Sequence, residues 1–349
     1  MAYTTINKSG EHFNTKLYTG NGSTQTISSV GFQPDFTWIK HRDGETAHML
    51  FDYVRGALKR IQSNTNNSET TANNTLTSWN SDGFALGTEN DTNNNSYSFV
   101  SWNWKAGTAV SGNTSGSGTY KTYTGSVNTT SGFSIIKYTG NGTAGHTIPH
   151  HLGAVPKMII VKKIASGADW MVYHNQLGTT NPSDKYLSLN TTAAEDNGGW
   201  NSTMPTSSVF TVSADQRVNT NDISYIAYVF TDKQGYSKFG KYIGNGSTNG
   251  TFVHTGFSPA FVMVKLSSAT QDWWIGDSKR PGYNTSALVL KPNATDTENQ
   301  SWSSHDLVSN GFKIRNSDGA ANSSGGSYIY MAFAEAPLVG TNNIPANAR

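Results

Sequence analysis

The sequence predicts an all-β protein made of three tandem β-sandwich, jelly-roll-like domains of about 100 residues each. Three observations support this. The phrase Tyr-x-Gly-Asn-Gly occurs three times, at intervals typical of one domain. Short runs of aromatic and β-branched residues alternate with Asn, Ser, Thr and Gly, which is the composition of strands joined by tight turns. Apolar residues at helical spacing are scarce.

Composition excludes several functional classes. The formal net charge is +2, charged residues make up 14% of the 349 residues, and the basic ones are scattered, so we expect no nucleic-acid binding. The absence of cysteine excludes disulfides, thiolate catalysis and cysteine metal sites. The chain shows neither a signal-peptide pattern at its start nor an apolar run of about 18 residues, so we expect no membrane insertion.

The three copies share an ordered set of features. Each begins with an aromatic residue and the repeated phrase, and then reaches a short apolar run that ends in Lys40, Lys162 or Lys265. Each closes on an aromatic strand, and the simplest alignment matches Tyr97 with Tyr225 and Tyr328. These closing strands are almost continuously apolar, which predicts central strands covered on both faces.

The repeats define the predicted domain boundaries. The first sandwich is placed at residues 1–106, the second at 132–232 and the third at 233–336. Residues 107–131 are rich in Gly, Ser and Thr and are predicted to form a flexible linker. Residues 337–349 are predicted to form an extended C-terminal arm. Only four residues, "DKQG", separate the second and third repeats, so we expect these two domains to be fixed relative to each other.

The repeated phrase predicts a structural turn. Glycine adopts positive φ without strain and asparagine tolerates it, so Gly-Asn-Gly is typical of a tight hairpin turn. A loop that contacts a ligand is the alternative. The residues concerned are Gly20, Asn21 and Gly22, Gly140, Asn141 and Gly142, and Gly244, Asn245 and Gly246.

No catalytic constellation is evident. Asp52 and Arg55 recur as Asp277 and Arg280, at a spacing that predicts local structural ion pairs. We find no second acidic position in all three copies, so the paired carboxylates of a glycosidase cannot be nominated. We therefore expect a protein that is not an enzyme and that binds no cofactor.

Histidines offer the best test for a metal site, and they do not predict one. His146, His150 and His151 form the only histidine cluster in the sequence. Neighbouring residues of a strand point to opposite faces, so His150 and His151 are poorly placed to share a metal ion. We expect a surface-exposed histidine group and no metal.

Trp170, Trp273 and Trp274 are the best candidates for ligand binding. A tryptophan beside a loop can stack on the apolar face of a sugar, although aromatic side chains also fill sandwich cores. Alternation along a strand places the two rings of the Trp273–Trp274 doublet on opposite faces. Because Trp170 and Trp273 occupy matching positions, we predict that Trp273 is buried and that Trp274 is exposed.

The repeated phrases resemble a known family. "FNTKLYTGNGSTQTISSVGFQPDFTWIK", "YSFVSWNWKAG", "GHTIPHHLGAVPKMIIVKK" and "SGGSYIYMAFAEAP" are similar to a domain family of unannotated function. That family recurs in virion and tail-fibre proteins of bacteriophages, notably marine ones. The resemblance covers nearly the whole chain and transfers no catalytic residue.

The resemblance implies a bacteriophage virion protein, most simply a tail fibre or receptor-binding component. Its partners would be other virion proteins and a glycan or protein receptor on the host surface, and a homo-oligomer, with a trimer favoured, is expected. Such a protein assembles in the host cytoplasm and is exposed on the extracellular particle. A capsid or tail decoration (cement) protein is the alternative, and a polysaccharide-cleaving tailspike is less favoured.

Overall fold

Three β-sandwiches form the molecule, and strands account for 44% of the chain against 6% for helices. This confirms the predicted all-β class. The computed structural model describes residues 3–280, 284, 288–298 and 305–339. In each repeat a larger sheet, here called the main sheet, packs on a smaller outer sheet. None of the described helices is long or apolar enough to cross a membrane.

The first repeat has a main sheet of order β1-β9-β3-β4-β5-β6 and an outer sheet of order β2-β8-β7. A three-residue 3-10 helix (Ser9–Glu11) precedes it. Its elements are β1 (Phe13–Thr19), β2 (Gln25–Ile27), β3 (Phe36–His41), β4 (Met49–Asp52), β5 (Lys59–Gln62), β6 (Thr70–Thr71), β7 (Leu76–Asn80), β8 (Gly83–Leu86), helix α1 (Asn90–Asn93) and β9 (Ser98–Trp104).

The second repeat has a main sheet of order β10-β12-β13-β20-β15-β16, an outer sheet of order β11-β14-β19 and the small pair β17-β18. A 3-10 helix (Pro182–Asp184) precedes β17. Its elements are β10 (Thr108–Asn113), β11 (Ser115–Gly116), β12 (Thr122–Asn128), β13 (Phe133–Thr139), β14 (His146–Pro149), β15 (Met158–Lys163), β16 (Met171–His174), β17 (Lys185–Tyr186), β18 (Asp196–Asn197), β19 (Val209–Val212), helix α2 (Gln216–Asn219) and β20 (Ser224–Phe230).

The third repeat has a main sheet of order β21-β27-β23-β24 and an outer sheet of order β22-β26-β25. Its elements are β21 (Ser237–Ile243), β22 (Phe252–His254), β23 (Phe257–Leu266), β24 (Trp273–Asp277), β25 (His305–Val308), β26 (Gly311–Ile314), helix α3 (Gly319–Asn322) and β27 (Ser327–Pro337). The predicted C-terminal arm begins at the end of β27, and its residues 340–349 lie outside the described residues.

Strand pairing follows one nested, jelly-roll-like plan in all repeats. The strand before each Gly-Asn-Gly phrase pairs with the closing strand, and the next strand pairs with the one before the closing strand. The register pairs Tyr18 with Phe99, Tyr138 with Tyr225, and Tyr242 with Tyr328. Phe99 is therefore the counterpart of Tyr225, and the alignment of Tyr97 with Tyr225 is wrong by two residues.

Residues 107–131 do not form the predicted flexible linker. They contain β10, β11 and β12, and β12 pairs with β13 so that the main sheet of the second repeat grows to six strands. In β12 the side chains of Tyr123 and Val127 are buried. Because small and polar residues surround these two, the segment has a linker-like composition although it is part of a sheet.

One hydrophobic core joins the three repeats. It contains residues from the main sheets of all of them, including Trp104, Phe230 and Phe333 at equivalent positions of the closing strands. Three further clusters lie inside the individual sandwiches. Each main sheet therefore has one face against its outer sheet and the other against neighbouring repeats. This confirms the prediction that the closing strands are covered on both faces.

Equivalent contacts connect the repeats in cyclic order. In each repeat, a side chain at or just before the start of β4 or its equivalent strand (β16 or β24) contacts the backbone of the preceding repeat. For the first repeat, the preceding repeat in this cycle is the third. The three contacts are Trp170 Nε1 to the carbonyl oxygen of Gln62 (3.0 Å), Trp273 Nε1 to that of Ser188 (3.0 Å), and His48 with the backbone of Lys291.

Polar contacts close the first repeat on the third. The guanidinium of Arg42 donates twice to the carboxylate of Glu298, over 2.9 and 2.7 Å. Near the N-terminus, the hydroxyl of Tyr3 donates to the carbonyl oxygen of Gly256 over 2.6 Å, and Ile6 is buried in the common core. The N-terminal segment thus packs across two repeats that are far apart in sequence.

The three lysines that end the shared apolar runs are fully buried at these interfaces. Lys40, Lys162 and Lys265 have no exposed surface. The ammonium of Lys265 donates to three carbonyl oxygens, one of which belongs to Thr192 of the second repeat (3.1 Å). Burial lowers the pKa of each lysine from 10.5 to about 8, because the charged form loses its hydration.

Candidate functional site

The three tryptophans proposed for ligand binding are all buried. Trp170 is 0% exposed, and Trp273 and Trp274 are each 1% exposed. The two rings of the doublet do lie on opposite faces, since Trp273 belongs to the common core and Trp274 to the core of the third sandwich. The predicted exposure of Trp274 is wrong because both faces of its sheet are covered. None of these rings presents a free face for stacking on a sugar.

The Tyr-x-Gly-Asn-Gly loop holds the short helix that precedes the closing strand. In the second repeat, Asn219 at the end of α2 accepts a hydrogen bond from the backbone of Asn141 through Oδ1 (2.9 Å). Its Nδ2 donates to the carbonyl oxygens of Thr143 and Ser213, each over 2.9 Å. Asn93 and Asn322 make the corresponding contacts in the other repeats.

This loop is a crossover between sheets and does not join paired strands as a hairpin would. It connects the main sheet to the outer sheet. The tyrosine that opens the phrase is held by its hydroxyl group. The tyrosine hydroxyl donates to a helix carbonyl in each case: Tyr18 to Thr92 (2.7 Å), Tyr138 to Val218 (2.7 Å) and Tyr242 to Ala321 (2.6 Å). The phrase therefore specifies a link between three elements of the sandwich.

The two glycines of the phrase have different roles. The second glycine has positive φ, at 65° in Gly22, 73° in Gly142 and 67° in Gly246, as predicted. The first glycine does not adopt positive φ. A Cβ atom on Gly20 would collide with the carbonyl oxygen of Asn94, and Gly140 and Gly244 have the same close neighbour in their repeats. The first glycine is required by close backbone approach.

The recurring Asp–Arg pairs lie at the interfaces between repeats. The Arg280 guanidinium donates through Nε to Asp277 over 2.6 Å, and neither side chain is exposed. Asp52 and Arg55 form the same buried pair. Burial raises the pKa of Asp277, but the Arg280 charge and the hydrogen bonds outweigh it and hold that pKa below its ordinary value.

Each of these carboxylates also accepts a hydrogen bond from the next repeat in the cycle. The hydroxyl of Tyr228 donates to Asp52 over 2.8 Å, and the indole of Trp102 donates to Asp277 over 3.1 Å. Tyr228 and Trp102 occupy equivalent positions of the closing strands. The ion pairs therefore fix loops locally and also bind one repeat to another.

The second repeat uses different chemistry at the same place. His174 replaces the aspartate, and its Nε2 lies 3.1 Å from the carbonyl oxygen of Tyr330 in the third repeat. Its Nδ1 accepts from the backbone of Gln176, so Nε2 carries the proton. Burial lowers the pKa of His174 to about 4. Met331 occupies the position that Tyr228 and Trp102 have in the other repeats, and it cannot donate a hydrogen bond. The second repeat therefore has a histidine that donates a hydrogen bond in place of an aspartate that accepts one.

A second acidic position does recur in all three repeats, contrary to the expectation from sequence. Glu69, Glu195 and Glu298 each lie five residues after an equivalent asparagine, namely Asn64, Asn190 and Asn293. Glu69 pairs with Arg55 over 3.2 Å, and Glu195 accepts from the backbone of Gly178 over 3.1 Å. Their spacing from that asparagine was the available signal. Because Asp52 and Glu69 share one arginine in a buried site, they are poorly placed to transfer protons to a substrate.

The histidine cluster is not the predicted surface group. His146 and His150 are fully buried, and His151 alone is exposed. The His146 ring lies within hydrogen-bond distance of Asn219 Oδ1 (3.0 Å) and Thr114 Oγ1 (2.6 Å). Among the described residues, no group of three potential ligands is arranged to hold a metal ion.

An exposed aromatic residue that the sequence did not single out borders an apolar cleft. Tyr53, just after β4, is 52% exposed. The cleft has a volume of about 370 Å³ and lies between the first repeat and the β10–β12 hairpin, with Ala109, Ser111 and Gly125 in its lining. A half-exposed ring beside serine hydroxyls and backbone groups is suited to contact a sugar.

These features define a class of protein: a repeat protein of three β-sandwiches joined by buried cyclic contacts. The chain belongs to the family described as "Domain of unknown function (DUF7483)", whose match covers residues 8–337. That match includes all three repeats, so the family unit is the triplicated body. No curated protein matches the chain.

Proposed function

We propose that the protein is a non-enzymatic structural component of a bacteriophage virion, serving as a tail fibre or receptor-binding part that contacts the host cell surface. One observation carries this proposal: three sandwiches share a single aromatic core, so that one chain forms a stiff body with its connecting loops outside. The sequence motifs of the repeats resemble those of virion and tail-fibre proteins, and this resemblance supports the viral origin.

The Tyr53 cleft is the surface best suited to contact the receptor. An exposed tyrosine gives a large contact area at low entropic cost, and the neighbouring small residues leave room for a ring. A single site of this kind binds weakly, and many copies on one particle would raise the effective affinity. The trimer expected from the sequence would add to this effect.

Adsorption to host cells tests the proposal. The chain has no cysteine, so Thr130→Cys in the exposed turn after β12 provides a single position for a fluorophore. We expect labelled protein to bind bacteria that the phage infects and to compete with phage adsorption. Tyr53→Ala should lose binding, whereas Tyr120→Ala, which removes a ring 61% exposed elsewhere, should keep it. Absence of adsorption and of competition would reject a receptor-binding role.

A decoration protein is the second candidate. One chain carries three equivalent sandwiches in cyclic order, an arrangement compatible with a position of local threefold symmetry in a particle. Adding purified protein to particles that lack it separates the two roles. Stoichiometric binding to the capsid or tail surface favours decoration, and shortening of host capsule chains would instead favour a tailspike.

A further inference from the structure

A small cleft in the third repeat lies where the other repeats hold an arginine. It has a volume of about 200 Å³ and opens between β24 and helix α3. Its lining includes the buried Trp274, the short side chains of Val289 and Ala320, and the polar groups of Gln271 and Asp318.

In the second repeat an arginine of the chain itself fills the corresponding place. The guanidinium carbon of Arg217 lies 4.3 Å from the centroid of the Tyr186 ring. The same guanidinium donates to the carboxylate of Asp215 through Nη2 (2.6 Å) and Nε (3.0 Å). Asp215 also caps helix α2 by accepting from the backbone of Arg217 over 2.8 Å.

The first repeat also places an arginine there, although from the opposite wall. Arg60, in β5, extends its Nη1 to 3.8 Å from Glu89 Oε1, and Glu89 immediately precedes helix α1. Both repeats therefore keep a guanidinium next to the acidic residue that precedes the short helix. Charge favours the arrangement in both repeats, and in the second repeat the Tyr186 ring adds stacking.

The third repeat keeps the acid and lacks both arginines. Val289 occupies the position of Tyr186 and Arg60, and Ala320 occupies that of Arg217. Asp318 still caps the helix, accepting from the backbone of Ala320 over 2.8 Å. Within the part of the chain that the structure describes, Asp318 forms no ion pair. Lys291 and Asp272 also line the cleft, and the Lys291 ammonium is paired with Asp272 (3.1 Å) and Asp296 (2.9 Å), so that its charge is balanced there.

We propose that this cleft binds a guanidinium group supplied by another molecule. The carboxylate of Asp318 would accept its N–H groups, next to the lining residues Gln271 and Trp274. The volume suits the head of one arginine side chain and is too small for an oligosaccharide. The group comes either from an arginine of a partner protein or from a small free guanidine compound. This inference does not depend on the Tyr53 cleft or on the viral role.

Titration by NMR of the isotope-labelled full chain tests the proposal. The probes are N-acetyl-arginine methylamide, methylguanidinium and N-acetyl-lysine methylamide. We expect saturable shifts of the Trp274 indole and of the Ala320 amide with the two guanidinium probes, and weaker binding of the lysine probe. Tighter binding of the capped arginine than of methylguanidinium indicates a protein partner, and equal binding indicates a small ligand.

Two variants of the cleft and one control variant complete the test. Asp318→Asn keeps an oxygen that can cap the helix and removes the charge, so affinity should fall about tenfold. Ala320→Arg should fill the cleft, as Arg217 does in the second repeat, and abolish binding. Glu45→Gln makes the same charge change on another exposed loop and should leave the affinity unchanged. The proposal is wrong if no probe shifts these signals, if the lysine probe binds as tightly, or if both cleft variants bind like the parent.

Discussion

The indole N–H of Trp102, in the first repeat, donates to the carboxylate of Asp277, in the third, over 3.1 Å. These residues are 175 positions apart in the sequence. Their contact completes a cycle that Tyr228 with Asp52 and His174 with Tyr330 form at the other two interfaces. Interfaces between domains of one chain are often small and polar. Here they are buried, aromatic and satisfied by hydrogen bonds, so we expect the repeats to behave as one unit.

Removing one donor from this cycle should destabilise the whole chain. Tyr228→Phe leaves the Asp52 carboxylate buried with one hydrogen bond fewer, which should lower the free energy of unfolding by about 1–3 kcal/mol. Urea denaturation followed by circular dichroism measures the change. Met331→Leu, at the equivalent position of the third repeat, removes no hydrogen-bonding group and should cost less than about 1.5 kcal/mol. Equal losses in both variants would show that the hydrogen bond contributes little.

The first glycine of the repeated phrase should tolerate no side chain. Gly20→Ala forces a Cβ atom into the carbonyl oxygen of Asn94, so the loop must move away from helix α1 and the melting temperature should fall. Gly22→Ala, at φ 65°, should cost about 1–2 kcal/mol from backbone strain. Gly10→Ala is the matched control, because a Cβ there meets nothing and the backbone needs no positive φ. A Gly20→Ala variant as stable as Gly10→Ala would refute the close-approach argument.

The asparagine at the end of each short helix should require its amide group. Asn219→Asp keeps the shape of the side chain but turns a donor toward the carbonyl oxygens of Thr143 and Ser213 into an acceptor. We expect a loss of about 1–3 kcal/mol or more, because a buried charge would face two acceptors. Hydrogen exchange should locate the effect, with faster exchange at the Asn141 amide. Unchanged protection of that amide would contradict the proposed link between loop and helix.

The buried lysines predict an unusual dependence of stability on pH. Their pKa in the folded protein is about 8, below the ordinary 10.5, so the unfolded chain binds more protons between these two values. Stability should therefore rise as pH increases from 8 toward 10 and should be lost as pH falls through about 8, by at most about 1.4 kcal/mol per pH unit for each lysine.

Unfolding by urea at several pH values measures this slope. Lys265→Met removes one of the three lysines and should reduce the slope by about one third. A slope that is unchanged in Lys265→Met would mean that the titrating groups lie elsewhere.

Local chemistry was readable from the sequence, and contacts between repeats were not. Alternation placed Trp273 and Trp274 on opposite faces correctly, because it is a property of the strand itself. Trp274 is covered by the outer sheet and helix of its own repeat, and Trp273 by the other repeats. That both faces are covered could therefore not be predicted from the segment itself. The first glycine is likewise required by the backbone of a residue distant in sequence, Asn94 for Gly20, and the motif alone predicts only a turn.

Composition misled where segments have small or polar side chains. Residues 107–131 look like a linker, yet Tyr123 and Val127 anchor a strand of the second main sheet. The match of Tyr97 with Tyr225 failed because both Tyr97 and Phe99 are aromatic, and strand register shows that Phe99 is the counterpart. The recurrence of Glu69, Glu195 and Glu298 could have been found by counting five residues from the equivalent Asn64, Asn190 and Asn293.

Unfolding observed separately in each repeat tests the central claim most directly. With fluorinated tryptophan, Trp102, Trp170 and Trp273 report on the first, second and third repeats, and single Trp→Phe variants assign their signals. Three sandwiches sharing one core should give coincident urea transitions with the same midpoint and slope. Three separate transitions, or survival of the second and third repeats after the first has unfolded, would contradict the account.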